Sequence, residues 1–153
     1  MEDKFFLHRI RKDGENYTCG IEVHNTLDAA IQSFHSQMKM AYNNPSYPNM
    51  KYVSCMVTDE QDNIVPGYNE TWNPEKLNGF FVHYIRHDGD TYTKGIDRKE
   101  DYAEACRSYH TYLEYGFGNN KFPNISFVAS KITDSGNVAH KSEFWVKPEE
   151  VTE

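Results

Sequence analysis

Along the first seventy residues the spacing of apolar positions changes period twice. Apolar and polar residues alternate over 4–12 and again over 17–24, the period of two that belongs to a half-buried strand. Between these runs stands "KDGEN". Its Asp-Gly step is a strong hairpin signal, and Gly14 supplies the positive φ of a tight turn. The period then lengthens. Leu27, Ala30, Ile31, Phe34, Met38 and Ala41 recur at helical spacing over 27–42, with Thr26 as a natural N-cap. After an Asn/Pro loop, two more strands are predicted near 51–58 and 63–71, joined by the polar turn "DEQDN". The unit reads ββαββ.

The same pattern then begins again. "FFLHRIRKDGENYTCGI" (5–21) returns as "FFVHYIRHDGDTYTKGI" (80–96), and at a constant offset of 75 the segments 5–59 and 80–134 align without a gap, identical at 20 of 55 positions. A register held that long marks duplication of a folded unit. The second copy has its own helix stripe of Tyr102, Ala105, Cys106, Tyr109 and Leu113. Asp101 and Glu104 form a capping box there, and strands follow near 126–133 and 137–146. The predicted fold is α+β: a tandem duplication of a ββαββ unit, each antiparallel sheet with one helix packed across it, the two related by a pseudo-twofold axis. Repeat 1 spans 1–73, a linker marked by Pro74 and Gly79 spans 74–79, and repeat 2 spans 80–153, together one compact pseudo-dimeric domain.

Alternation also divides the strands into faces. Phe6, His8, Ile10, Tyr17, Cys19 and Ile21 fall together and are expected under the helix, as are Phe81, His83, Ile85, Tyr92, Lys94 and Ile96. Phe5, Leu7, Tyr52, Met56, Phe80, Val82, Tyr84 and Phe127 are expected on the opposite face. Antiparallel sheets often leave such a face polar; this one is apolar, which predicts a contact between the two halves or between two chains. A lone unit of this size buries only about 60% of its unfolded surface and is marginal by itself.

Composition narrows the function. The chain has 16 Lys+Arg against 23 Asp+Glu, a net charge of −7. Seven basic and 11 acidic residues lie in 1–77 and nine and 12 in 78–153 (−4 and −3), so neither half is an acidic tail or a basic arm. This balance argues against duplex nucleic acid, which requires a basic footprint. No apolar run approaches a membrane span, and the N-terminus lacks the pattern of a signal peptide; a cytoplasmic protein is expected. Cys19, Cys55 and Cys106 are not doubled by the repeat and are expected to be reduced.

Chemistry is harder to find. His8/His83 and His35/His110 recur in both copies, and a His8–His35 approach is conceivable as an acid/base or metal couple. Without a carboxylate or thiol at ligand spacing, they are expected to be hydrogen-bonded groups of the fold. Arg11 and Arg86 are expected on the face away from the helix, in cross-strand pairs with Glu22 or Asp97 or at a solvated edge, with bidentate recognition of a carboxylate or phosphate as the alternative role. "HDGD" (87–90) begins like a calcium loop but runs into a strand without the closing ligands. No nucleophile elbow, zinc signature or phosphate loop is present. No catalytic residue, cofactor or metal is therefore assigned. The binding candidates are the loops after the helices, "YNNPSYPN" (42–49) and "FGNNKFPN" (117–124). Tyr42, Asn44, Tyr47 and Asn49, with Phe117, Asn119, Phe122 and Asn124, place rigid aromatic anchors among adaptable amides, as recognition loops do. Capping of the open core end is the competing role for Tyr47 and Phe122.

The motifs "FFLHRIRKDGENYT.G" and "A..SFH" resemble small tandem-repeat proteins of Firmicutes phages and prophages. The resemblance implies a context and no assigned activity: phage accessory proteins are often virion parts or inhibitors of host machinery. The expected function is a non-enzymatic binding module, a monomer or homodimer, that binds or inhibits a host protein through a basic surface on that partner, or sequesters a small ligand. The alternatives are a structural component assembling through an apolar sheet face, and a small enzyme using paired histidines.

Overall fold

A computed structural model describes residues 4–148. The element order is β1 (Phe5–Asp13), β2 (Asn16–His24), α1 (Leu27–Met38), β3 (Met50–Thr58) and β4 (Ile64–Trp72), then β5 (Phe80–Asp88), β6 (Thr91–Lys99), α2 (Tyr102–Leu113), β7 (Ile125–Asp134) and β8 (Ala139–Val146). Each repeat is a four-stranded antiparallel sheet, ordered β2-β1-β3-β4 and β6-β5-β7-β8, with one helix across it. The α+β duplication expected from the alternating pattern is what the chain forms.

Local chemistry explains the element boundaries. Asp13 pairs with Asn16 and Asp88 with Thr91, so each first hairpin turns through two residues. Gly14 and Gly89 hold φ near +60° there and donate their N–H groups to the carbonyls of Asn49 and Asn124. The Thr26 hydroxyl accepts from Ala29 N at 3.1 Å, and the Asp101 carboxylate accepts from Glu104 N at 2.8 Å, satisfying helix N-terminal donors. The first helix ends at Met38, four residues earlier than its apolar spacing predicts. The Asn44 side-chain amide donates to Lys39 O and the Asn119 amide to Glu114 O, each at 2.7 Å. These bonds close a turn that helix continuation would destroy.

The helices take the face opposite to the one expected. Leu7, Val53, Cys55 and Val57 pack with Ala30, Phe34 and Met38 under α1, with Phe5 against the cluster. Val82, Val128 and Ile132 pack with Ala105, Tyr109 and Leu113 under α2, with Phe80 alongside, and Tyr84 stacks on Tyr112 at 3.9 Å. Arg11 also faces its helix, donating to Gln37 at 3.2 Å, and Arg86 sits over the Tyr115 ring; neither makes the cross-strand pair expected. The reason for the reversal is that both faces of β1 and β5 are apolar, so alternation fixes two faces without saying which meets the helix.

The other faces meet each other. Phe6, Ile10, Ile21 and Tyr52 join Phe81, Ile85, Ile96, Phe127 and Ala129 in one core between the sheets, giving the layers α1, sheet, sheet, α2. Tyr52, Met56 and Phe127 lie on this face, as expected. The contacts are reciprocal. Phe6 meets Tyr92 as Phe81 meets Tyr17, and Phe6 stacks on Phe127 as Phe81 stacks on Tyr52. Contact of i with j matched by contact of j with i is what a pseudo-twofold interface requires.

Candidate functional site

Two places bring repeated polar groups together. The first is the pseudo-twofold axis. His8 and His83 are each only 2% exposed, and their Nδ1 atoms lie 2.8 Å apart. On the outer sides, His8 Nε2 meets the Thr58 hydroxyl and His83 Nε2 the Thr133 hydroxyl, both at 2.8 Å. Burial, then the His83 ring and Lys131, hold His8 well below its ordinary pKa; burial, then Lys131, pushes His83 down to about 3. Both rings are therefore neutral at pH 7. A neutral imidazole carries one N–H, so across the short contact one ring donates and the other accepts. The hydrogen bonds consequently run in one direction from Thr58 to Thr133 or the reverse. The partner of His8 is His83, not His35, which lies exposed on α1, as His110 does on α2. Among the described residues no three His, Cys, Asp or Glu side chains are grouped to hold a metal.

The second place is a groove that occurs once per repeat, between the end of the helix and the edge strand. In repeat 1 it is lined by His35, Met38, Tyr42 and Glu70, in a cleft of about 460 Å³. In repeat 2 it is lined by His110, Leu113, Phe117 and Glu143, in a cleft of about 360 Å³. The aromatics at the rim are held in an unusual backbone. Tyr42 and Phe117 have φ of 59° and 61°, the left-handed region that bulky residues rarely enter, and they are 56% and 53% exposed. Each approaches the tryptophan of its edge strand: Tyr42 and Trp72 have centroids 6.2 Å apart, Phe117 and Trp145 5.8 Å. The Tyr42 hydroxyl donates to Glu70, a bond that, ahead of desolvation, raises its pKa to about 12. A strained backbone that exposes an aromatic, built twice, is a feature that clusters at functional positions.

The remaining loop residues divide by role. Asn44 and Asn119 are occupied in closing the helix ends, and their side-chain oxygens accept from Ser46 N and Lys121 N. Asn49 and Asn124 supply carbonyls to the hairpin glycines. Tyr47 and Phe122 are half-buried against their repeats' cores, the capping position. In repeat 2 the loop also walls a separate cleft of about 320 Å³ with Asn119, Phe122, Pro123, Trp145 and Lys147. Glu70, Trp72, Glu143 and Trp145 were not singled out by the sequence, although "ETW" (70–72) and "EFW" (143–145) repeat there. Their offset is 73. Repeat 1 holds two more residues before this motif, in the irregular stretch of β4 that contains Pro66 and Gly67.

The three cysteines are free thiols; burial raises Cys19 to about 11 and Cys55 to about 12, which leaves them protonated and unreactive. Among the described residues no helix is long and apolar enough to cross a membrane. Neither a protein-family model, nor a curated protein, nor a solved structure matches the chain.

Proposed function

We propose that this chain is a non-enzymatic binding module that presents two equivalent recognition grooves, one per repeat, to a protein partner with a basic surface. The observation that carries the reading is the pair Tyr42 and Phe117: exposed, held at positive φ, and each set beside a tryptophan and a groove carboxylate. Aromatic rims with few rotatable bonds make good anchors because little side-chain freedom is lost on contact. Glu70 and Glu143, within an overall charge of −7, favour a cationic partner by steering and complementarity. The apolar sheet faces already cover each other, and the histidine pair is sealed from solvent; neither offers surface to a ligand. The resemblance to phage and prophage proteins makes a bacterial host protein the partner to seek, in a cytoplasmic setting.

Affinity capture from a Firmicutes lysate tests this, comparing wild type with Tyr42→Ala, Phe117→Ala and the double variant. Two equivalent sites predict that each single variant retains the same partner more weakly and that the double variant loses it. Retention should also fall as salt rises. Capture of the same partner by the double variant, at unchanged melting temperature, overturns the proposal.

A further inference from the structure

The two repeats differ at their outer edges. In repeat 1 the edge strand β4 is protected: its pairing with β3 jumps between Ile64 and Asn69, and Pro66 and Gly67 fill the gap. Proline cannot donate to a neighbouring strand, and an irregular edge resists pairing. The corresponding strand of repeat 2 has no proline, and its one irregularity, at His140, lies near its start. From Lys141 to Val146, β8 runs in unbroken register with β7, contains neither proline nor glycine, and stands last in its sheet. Phe144 and Val146 lie on it 38% and 42% exposed, where the matching positions of repeat 1 are Thr71 and Asn73. The remaining edge strands, β2 and β6, run close to each other where the two sheets converge.

The charges on β8 identify what fits this edge. Lys141 and Glu143 sit two residues apart and therefore on one face, with Ser142 between them. Their neighbours on β7 are Ile132 and Ser130, which carry no charge. We propose that β8 is a self-pairing edge, at which two copies of this chain join antiparallel about Ser142 and extend the four-stranded sheet across the dimer. In that register Lys141 stands directly opposite Glu143 of the second copy, and Glu143 opposite its Lys141, so both charge pairs form at once. An antiparallel pairing of β8 with itself about either neighbouring residue sets Lys141 or Glu143 opposite itself or an apolar side chain, with no such gain.

Sedimentation velocity on the full chain, from low to high micromolar concentration, tests the pairing. Wild type should show a reversible monomer–dimer equilibrium. Lys141→Glu or Glu143→Lys alone turns both cross-strand pairs into repulsions and should weaken dimerisation about tenfold or more. An equimolar mixture of the two variants restores both attractions in the heterodimer and should recover wild-type affinity. A wild type that remains monomeric throughout overturns the proposal. So does a dimer indifferent to the single reversals, or a mixture that fails to recover.

Discussion

Neutrality of His8 and His83 has a thermodynamic consequence. An unfolded histidine takes up its proton near pH 6.5, whereas these two are held well below that value in the fold, chiefly by burial. As pH falls through 6.5 the unfolded chain binds protons that the folded chain refuses. Their contribution to stability is therefore complete above about pH 6.5 and is lost as pH drops, with a limiting slope of ~2.7 kcal/mol per pH unit for the pair, until His83 itself protonates near 3. Urea midpoints between pH 8 and pH 5 should fall for wild type. A variant carrying His8→Gln and His83→Gln should lose this component of the fall, though it starts from a lower midpoint. At neutral pH, His8→Ala alone should cost ~1–3 kcal/mol, because it leaves His83 and Thr58 without a partner. An unchanged midpoint would show that the axis contributes nothing to the fold.

Among the elements, the β3–β4 and β7–β8 turns show how far the duplication has diverged. Each turn reaches across to the opposite sheet through a residue at positive φ, Asp62 in one and Asn137 in the other. Asn137 binds neutral groups, donating to Cys55 O at 3.1 Å and to the Asn69 side chain. Asp62 instead meets a buried lysine: Lys131 Nζ lies 3.3 Å from its carboxylate and 2.8 Å from Ser142 Oγ, which also donates to that carboxylate. Met56 occupies the place of Lys131 in repeat 1. Lys131→Met should thus strand Asp62 and cost ~3–5 kcal/mol, while Asp62→Asn in the same chain, reproducing the neutral arrangement, should return most of it. Thermal or urea unfolding of the two single variants and the double variant reads this directly; additive losses would mean the pair is not coupled. The elements themselves were legible in the sequence, because turn glycines, caps and periods agree locally. The faces were not, although a clue was present. Phe6, His8, Ile10, Tyr17 and Ile21 are identical in the second copy, whereas Leu7, Phe34 and Met38 under the helix become Val82, Tyr109 and Leu113. A surface that meets its own copy is constrained on both sides at once; a helix and its sheet can change together, independently of the other repeat. The grooves escaped for a different reason, since the doubled Glu-x-Trp motif falls out of the constant offset after Pro66 and Gly67.

For the whole molecule, the sheet-to-sheet core means that neither half is complete. Residues 1–77 alone would expose Phe6, Ile10, Ile21 and Tyr52, and this fragment is expected to remain unfolded or to associate. Mixed with residues 78–153, it should assemble into a folded 1:1 complex, detected by sizing and by dispersed amide resonances. A fragment 1–77 that folds sharply as a monomer would contradict this. The Asp62–Lys131 bridge bears on which partner each half selects. Two copies of repeat 1 pairing across the same axis would set Asp62 against Met56, with no cation to receive it. Two copies of repeat 2 would leave Lys131 facing Asn137. Only the mixed pairing satisfies both charges. The bridge thus works as a molecular keying: a fold descended from like joining like now tells its left hand from its right, and newly made chains at high concentration are steered toward closing on themselves instead of zipping into strings of mismatched halves.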